Sequence, residues 1–351
     1  MKIAIITDTH FGARNDNQNF NEFFYKFYEN VFFPTLEDRG IKTCVHMGDV
    51  VDRRKFISYK IANDFRNRFI KRFGELGIDL HIIIGNHDTY YKNTNEVNAM
   101  EELVGKDRHK IYTDPEVVNF GDVPIQFIPW INAGNYDASM AALSRSPATI
   151  AMGHLEINGF EMQKGFPMSG SYDKEIFRRF DTVFSGHFHH KSDDGQIFYL
   201  GTPYEIYWND YQDPKGFHIF DTETRELERI VNPYGIFEKI YYDDSTKDYS
   251  KHKFGKYKNK YVKLIVVNKK DLYGFDQFVD KLLKADAHEV KIIEDFSELD
   301  PANVSDEIIE KTEDTMTLLE NYIDELDVTL DKERLKGTMR SLYTEAQDIE
   351  V

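Results

Sequence analysis

The feature that most limits the fold of this chain is an alternation of short apolar runs with longer amphipathic stretches in its N-terminal part. The runs KIAII (2–6), TCVHM (43–47) and DLHIII (79–84) are short and apolar and lead into polar residues. Residues 19–40 and 57–77, which lie between them, carry apolar side chains at helical spacing. This β-α-β-α order predicts largely parallel strands flanked by helices.

More strands are predicted downstream, and they follow one another closely. The runs that predict them are 124–130, 148–154, 181–187, 197–203 and 216–220. One sheet does not easily hold so many strands, so we expect an α/β fold in which two sheets form a sandwich flanked by helices.

The composition changes after about residue 235, and this predicts further domains. The segments 261–267, 271–286 and 289–295 have the patterns of a strand, a helix and a strand. We therefore predict a main domain at 1–235, a small α+β capping domain at 236–298 and a helical tail at 299–351.

The charge distribution argues against a general nucleic-acid coat protein, because the net charge is −17. Residues 301–351 hold fourteen acidic against five basic residues, whereas 251–263 holds six lysines and no acid. No run approaches the roughly 18 apolar residues of a membrane span, and 1–10 is too short for a signal-peptide core. The single cysteine, Cys44, excludes an internal disulfide and indicates a reducing cytoplasm.

Five polar motifs each come directly after a predicted strand. They are DTH (8–10), GDVVD (48–52), GNHD (85–88), GH (153–154) and SGHFH (185–189). In α/β folds the functional residues gather at the carboxyl ends of the strands, so these motifs are expected to meet at one rim.

The side chains of these motifs are typical ligands of divalent metal ions. Carboxylate, amide and imidazole groups without a thiolate suit manganese, magnesium, iron or zinc. Two cations lie close together only when an anion bridges them. Asp49, in the middle of the motif order, is the natural bridging carboxylate.

Two pairs of candidate ligands are spaced two residues apart. In extended backbone this spacing directs both side chains to one side, so Asp8 and His10 would reach the metal centre together. The same argument applies to His187 and His189, and it predicts that His190 points away. Five such motifs in this order make a chance arrangement improbable.

The ordered set resembles the calcineurin-like metallophosphoesterase superfamily. The resemblance implies that one ion is held by Asp8, His10, Asp49 and His189. It implies that the second ion is held by Asp49, Asn86, His154 and His187. His87 matches the catalytic histidine that is not a ligand, and Asp88 is then placed to orient its imidazole.

This resemblance implies a specific chemistry. Two ions about 3.5–4 Å apart lower the pKa of a bridging water and clamp a phosphodiester for in-line attack. His87 would act as the general acid, or as a stabiliser of the phosphate. Asn86 would bind metal through its carbonyl oxygen and leave its amide nitrogen for a further partner.

Within the superfamily, three segments are similar to the SbcD-type DNA repair nucleases, and among these to the phage recombination-endonuclease subunits. They are 48–55, GHLEING (153–159) and 201–224. The resemblance implies a nuclease that requires manganese, with magnesium as the alternative, and has 3′-5′ exonuclease and single-strand endonuclease activity. It implies a homodimer that works with an SbcC-type coiled-coil ATPase in DNA end processing, recombination and repair. The alternatives are a phosphodiesterase of small nucleotides or phosphoproteins, and a scaffold that only tethers DNA.

Several residues are candidates for contact with DNA. Near the predicted rim they are Arg53, Arg54, Lys55, Tyr90, Tyr91 and Lys92. The first three could instead pair with local acids. In the basic segment the candidates are Lys251, Lys253, Lys256, Lys258 and Lys260, among Phe254, Tyr257 and Tyr261. A solvated loop is the alternative there.

Two apolar patterns suggest protein contacts, and each has a simpler explanation. The helical stripe Phe20, Phe23, Phe24, Phe27 and Val31 fits either a dimer interface or packing on the sheet. The tail 303–350 fits a docking element for the ATPase or a solvated helix on its own domain.

Overall fold

The computed structural model describes residues 1–104, 109–163, 166–167, 172–293 and Lys332. The chain divides into two compact units, the first being Met1–Glu238 and the second beginning at Lys239. The tail predicted for 299–351 lies outside the described residues except for Lys332.

The first unit contains two six-stranded sheets. The strands of the first sheet are β1 Lys2–Ile6, β2 Thr43–His46, β3 Asp79–Ile83, β4 Lys110–Tyr112, β13 Gly216–Asp221 and β14 Leu227–Val231. The strands of the second sheet are β5 Glu116–Phe120, β6 Val123–Ile128, β7 Ile150–His154, β10 Thr182–Gly186, β11 Ser192–Asp193 and β12 Ile197–Tyr199. The first sheet has the order β14-β13-β1-β2-β3-β4 and the second has the order β11-β12-β10-β7-β6-β5. A separate hairpin pairs β8 Glu161–Gln163 with β9 Phe166–Pro167.

The centre of each sheet is parallel, and antiparallel strands lie at one edge of the first sheet and at both edges of the second. Strands β1 to β4 pair in parallel, whereas β13 is antiparallel to both β1 and β14. In the second sheet β6, β7, β10 and β12 are parallel. The carboxyl ends of the central strands therefore share one edge in each sheet, which is where the motifs lie.

An apolar core fills the space between the two sheets. It contains Ile5, Val45 and Ile83 from the first sheet and Phe127 and Met152 from the second. These side chains are inaccessible to solvent. Burial of strands on both faces explains why their sequences are continuous apolar runs. The predicted two-sheet sandwich is confirmed.

Helices cover the outer faces of the sandwich. Those of the first unit are Ala13–Asp16, Gln18–Phe27, Phe33–Asp38, Tyr59–Asp64, Lys71–Leu76, Ala99–Leu103 and Tyr136–Arg145. The two long predicted helices are each interrupted by a π-helical turn, at Tyr28–Phe32 and Phe65–Ile70. Short 3₁₀ turns occur at Lys174–Phe177 and Trp208–Asp210. Gly77 ends the second long helix in the left-handed conformation that glycine favours.

The aromatic stripe on the first long helix packs inside the first unit. Phe20, Phe24 and Phe27 are buried, and Phe27 contacts the ring of Phe217 on β13. Phe23 remains partly exposed. Burial inside the first unit therefore accounts for three of the five residues in the stripe, and these three are not available to a second copy of the chain.

The second unit is a small sheet covered by a helix. Its strands β15 Phe237–Asp243, β16 Tyr261–Asn268 and β17 Glu289–Ile293 pair in that order. The helix Leu272–Leu283 connects β16 to β17, which are parallel, and a 3₁₀ turn lies at Phe254–Tyr257. The predicted strand-helix-strand pattern is confirmed.

Candidate metal centre

The loops after five strands bring the predicted ligands together in two clusters. Asp8, His10 and His189 form one cluster, and Asp49, His154 and His187 form the other. Within each cluster, one potential ligand atom from each residue lies within 4.8 Å of the others. The first cluster combines the loops after β1 and β10, and the second combines the loops after β2 and β10 with His154, the last residue of β7.

The Asp49 carboxylate lies between the two clusters. Its Oδ2 is 3.2 Å from Nε2 of His154 and 3.9 Å from Nε2 of His10. Its Oδ1 accepts a hydrogen bond from the backbone amide of His87 at 2.8 Å. One oxygen thus faces a histidine of each cluster, which is the geometry that a bridging carboxylate needs.

Asn86 joins the second cluster through its side-chain oxygen. This Oδ1 lies 2.9 Å from Nε2 of His154 and 3.0 Å from Nδ1 of His187. The same two ring nitrogens are 3.2 Å apart. Three atoms with lone pairs therefore converge on one point.

The first cluster contains an equally close pair of ring nitrogens. Nε2 of His10 and Nε2 of His189 are 3.0 Å apart, with their rings inclined by 61°. Two such nitrogens repel each other unless a proton or a cation lies between them. Because nitrogen and oxygen donors converge in both clusters without a thiolate, the residues present fit divalent metal ions.

The far nitrogens of three of these histidines face oxygen atoms. Nδ1 of His154 is 2.9 Å from the carbonyl oxygen of Met47, and Nδ1 of His10 is 3.2 Å from Asp52. Nε2 of His187 is 3.4 Å from Glu156. An oxygen at the far nitrogen fixes the ring and the tautomer, and leaves the near nitrogen as the ligand atom.

Four of the predicted ligands have backbone conformations that side chains rarely adopt. The φ angles are +51° for Asp8, +43° for His10, +52° for Asp49 and +85° for His187. Such residues cost about 1–3 kcal/mol each and cluster at functional sites. This corrects the argument from extended backbone: Asp8 and His10, like His187 and His189, reach the site because the chain turns sharply after β1 and β10.

Two glycines allow the loops to approach each other. A Cβ on Gly85 would lie 2.2 Å from the backbone nitrogen of Asp49, and one on Gly186 would lie 2.1 Å from Oγ1 of Thr7. Neither distance is compatible with a side chain. The Gly-Asn and Gly-His pairs in the motifs are therefore required by the close contact of neighbouring loops.

The pKa values of His187 and His189 favour neutral rings. Burial, followed by the charge of His154, lowers the pKa of His187 to about 3. Burial and the charge of His10 hold the pKa of His189 well below its usual value. Both rings thus keep a lone pair that is available for a cation.

Asp8, His10 and His154 shift one another's pKa values. Burial raises the pKa of Asp8 to about 6, although the charge of His154 opposes this effect. Burial also opposes charge on His10 and His154, but contacts with Asp52 and Asp49 raise the pKa of both rings to about 9. The carboxylates therefore attract positive charge, which bound cations can supply in place of protons.

His87 lies beside the first cluster. Its ring is 5.0 Å from the ring of His10, and its Nδ1 is 2.5 Å from the carbonyl oxygen of Asp52. A carbonyl oxygen only accepts hydrogen bonds, so Nδ1 carries the proton and donates it there. Nε2 is then the nitrogen that exchanges protons with a substrate.

The expected role of Asp88 in orienting His87 is corrected by these contacts. The buried Asp88 carboxylate accepts hydrogen bonds from the backbone amides of Val50, Val51 and Gly85 at 2.8, 3.1 and 2.9 Å. Asp88 therefore joins the loop after β2 to the loop after β3. Asp52 holds the His87 ring instead. His190, as predicted, faces away from the clusters, and its Nδ1 lies 3.0 Å from Asp213.

Basic and aromatic side chains surround the loops next to the site. The guanidinium group of Arg54 lies 4.9 Å from the ring of Trp130, and the Lys55 ammonium group lies 5.9 Å from the ring of Tyr90. Tyr90 and Tyr91 are 42% and 49% exposed, and Lys92 is also exposed. These groups offer cations and flat rings to a ligand.

For Arg53, the structure shows pairing with a local acid, which was the predicted alternative to contact with DNA. Arg53 forms an ion pair with Asp16 at 2.6 Å, and its guanidinium group lies 4.4 Å from the ring of Phe56. Of the three basic residues after Asp52, Arg53 is thus paired with a local acid.

The basic segment belongs to the second unit and is described by itself. Lys251, Lys253, Lys256 and Lys258 are exposed and Lys260 is partly buried. Tyr257, however, is 1% exposed and belongs to the core of this unit. The expected interleaving of lysines with accessible rings is therefore wrong for Tyr257, because the 3₁₀ turn directs its ring inward.

Residues 1–191 match the calcineurin-like phosphoesterase family, and the chain belongs to this family. Two divalent metal ions are what this family and the two ligand clusters together imply. The chain is 32% identical over 352 residues to exonuclease subunit 1 of Enterobacteria phage T4, and the match covers 99% of both proteins.

Two solved structures are also similar. An archaeal phosphodiesterase has a TM-score of 0.32 and 17% identity, and the match covers 66% of this chain and 100% of that one. A dimetal phosphatase from Danio rerio has a TM-score of 0.35 and 10% identity, with 62% and 91% covered. Within the described part of the chain, no helix combines the length and the apolar character required to cross a membrane.

Proposed function

We propose that this chain is the nuclease subunit of a DNA end-processing complex and that it hydrolyses DNA phosphodiesters with two manganese ions. The observation that carries the proposal is the pair of ligand clusters joined by Asp49, with His87 beside them. The whole-length similarity to exonuclease subunit 1 favours DNA over small substrates.

The residues of the site would bind the two ions and supply a proton. Asp8, His10, Asp49 and His189 would hold one ion, and Asp49, Asn86, His154 and His187 the other. When bound, the ions would activate water and neutralise the charge of the phosphate. Because Nδ1 of His87 is held by Asp52, the proton needed by the leaving oxygen is supplied from Nε2.

The surroundings support a polymeric anionic substrate. Arg54, Lys55 and Lys92 would contact phosphates, while the exposed rings of Tyr90 and Tyr91 would stack on unpaired bases. The exposed lysines of 251–260 extend this proposal to the second unit. From the family resemblance we also propose that the chain works with an SbcC-type ATPase, forms a homodimer and is located in the cytoplasm.

The test is a nuclease assay on end-labelled linear duplex and single-stranded DNA with Mn²⁺. The change His87→Ala should lower the rate about 10²–10⁴-fold, which is the contribution of a positioned general acid, while two Mn²⁺ ions still bind. Labelling the 3′ and 5′ ends separately reports the polarity.

A second experiment distinguishes cleavage of DNA from hydrolysis of small substrates. Tyr90→Ala and Lys55→Ala should weaken single-strand cleavage and leave hydrolysis of a bis(nitrophenyl) phosphate unchanged. Lys71→Ala is the matched control, because Lys71 is an exposed helical lysine that pairs with Glu75 at 3.9 Å. Rapid turnover of the small diester with no cleavage of DNA would overturn the proposal in favour of a small-molecule phosphodiesterase.

A further inference from the structure

A buried lysine lies behind the first ligand cluster. Lys215, just before β13, is 3% exposed. Burying a charged ammonium group is costly unless the group is fully paired, so such a lysine needs a structural or functional reason. We propose that Lys215 is a positioning residue that holds His189 in place as a metal ligand; this inference rests on the proposed function.

The ammonium group of Lys215 has three acceptors for its three protons. Nζ lies 2.7 Å from Oδ1 of Asp210, 2.8 Å from Oδ2 of Asp213 and 2.9 Å from the carbonyl oxygen of His189. The two carboxylates balance the charge. The third hydrogen bond holds the backbone of the predicted ligand itself.

The same network also holds a neighbour of the His189 ring. Oδ2 of Asp210 accepts hydrogen bonds from the backbone amides of Ile206 and Tyr207 at 2.8 and 2.9 Å. The Tyr207 ring lies 6.1 Å from the His189 ring at an angle of 17°. Lys215 thus acts on the backbone of His189 directly, and on the position of Tyr207 through Asp210.

The residue after the ligand is held by the same group of charges. Nδ1 of His190 lies 3.0 Å from Oδ2 of Asp213, the oxygen that also faces Lys215. The backbone amide of Thr202 adds a second hydrogen bond to the His189 carbonyl at 3.1 Å. The segment at His189–His190 is therefore fixed from several sides.

The effect of this network should differ between the two metal sites. Nε2 of His189 must stay near Nε2 of His10, 3.0 Å away, to complete the first cluster. His154 has its own support from the carbonyl oxygen of Met47. Loss of Lys215 should consequently weaken the ion held by His10 and His189, and affect the ion held by His154 much less.

The experiment is a calorimetric titration of the metal-free full-length protein with Mn²⁺, without DNA. The wild-type chain should bind two ions. Lys215→Met should weaken one of them about 10- to 100-fold, as the loss of an outer hydrogen-bond partner does, and leave the other within a few-fold. The electron paramagnetic resonance signal of a coupled ion pair should then be replaced by that of a single ion.

Two further variants keep the test decisive. Lys191→Met removes a lysine two residues from His189 that pairs with Asp193 at the surface, and it should leave both ions unchanged. If Lys215→Met does not fold, Asp213→Asn replaces it in the test. This change keeps a side chain of the same shape and should weaken binding of the same ion by a smaller factor. Failure of the wild type to bind two ions would refute the proposed function. Two unchanged ions, or two equally weakened ions, in the Lys215→Met and Asp213→Asn variants would refute the inference alone.

Discussion

The hydroxyl group of Tyr204 connects the helical layer to the loop that carries Asp8 and His10, and its removal gives a sharp test of how that loop is held. Tyr204 is inaccessible to solvent, and its hydroxyl donates to the carbonyl oxygen of Thr9 at 2.5 Å. It also lies 3.1 Å from the hydroxyl of Tyr28. The ring stacks on Phe24 at 3.8 Å, so Tyr204→Phe keeps the packing and removes only the hydrogen bonds.

The expected cost follows from the groups that remain. Tyr204→Phe leaves the carbonyl oxygen of Thr9 without this donor and the Tyr28 hydroxyl without this partner. A buried polar group that loses its partner costs about 1–3 kcal/mol, so we expect a loss of about 2 kcal/mol in the free energy of unfolding. Tyr28→Phe should cost only about 1 kcal/mol, because Tyr204 can still donate to Thr9.

The double variant isolates the contact between the two hydroxyl groups. Since Tyr28→Phe and Tyr204→Phe each remove the same hydrogen bond, their combined cost should be about 1 kcal/mol less than the sum of the two. Urea unfolding followed by tryptophan fluorescence measures all three variants. Both tryptophans, Trp130 and Trp208, belong to the first unit, so the signal reports that unit. A chelator in the buffer removes the contribution of bound metal.

Two results would contradict the argument. If Tyr204→Phe lies within 0.5 kcal/mol of the wild type, on the scale of an ordinary surface substitution, the hydroxyl does not hold the Thr9 loop. If the costs of the two single changes add, Tyr28 and Tyr204 do not share a hydrogen bond. An altered urea dependence without a shift in midpoint would show instead that the change affects the compactness of the unfolded or the folded state.

Three further predictions follow from the same contacts. Burial, with the charges of Arg229 and Lys191, lowers the pKa of His218 to about 3, below its value near 6.5 in the unfolded chain. The stability that neutral His218 contributes is therefore complete above pH 6.5 and declines as the pH falls toward 3. His218→Gln should reduce the loss of unfolding free energy between pH 7 and pH 5 by about 2 kcal/mol, and an unchanged pH dependence in urea unfolding would refute this. Saturating Mn²⁺ at about 100 times its dissociation constant should raise the free energy of unfolding of the chelated protein by about 2.7 kcal/mol for each ion bound, and no shift of the melting temperature would contradict the metal centre. Glu156→Gln, which weakens the contact at Nε2 of His187, should reduce Mn²⁺ affinity about 10-fold, and an unchanged titration would show that Glu156 does not support the ring.

The sandwich could be predicted because burial determines the sequence pattern of its strands. A parallel strand that is buried on both faces is mostly apolar, as KIAII is, and as DLHII is apart from the exposed Asp79 and the buried His81. The intervening helices have one apolar face, which gives the helical spacing. Their π-helical turns at Tyr28–Phe32 and Phe65–Ile70 could not be predicted, because the apolar pattern continues through both of them.

The gathering of the motifs could also be predicted, since it requires only that parallel strands end at the same edge. The roles of Asp52 and Glu156 were missed, although both lie inside motifs that were recognised. Each acts on a histidine ring through the nitrogen that faces away from the site. The sequence signal for both was a carboxylate close to a predicted ligand, but spacing alone does not show which nitrogen it reaches.

The burial of Lys215 and its contact with His189 could not be predicted from the sequence. Lys215 lies 26 residues from His189, and nothing in DPKGF distinguishes a buried lysine from a solvated one. Its position follows from β13, which pairs with β1 and starts beside the loop of the second sheet that carries His189. In this site a buried charge from one sheet holds a loop of the other, and the pairing of Lys215 with the His189 carbonyl oxygen follows only from the folded arrangement. For this reason the ligands of a metal centre are easier to predict than the residues that hold them.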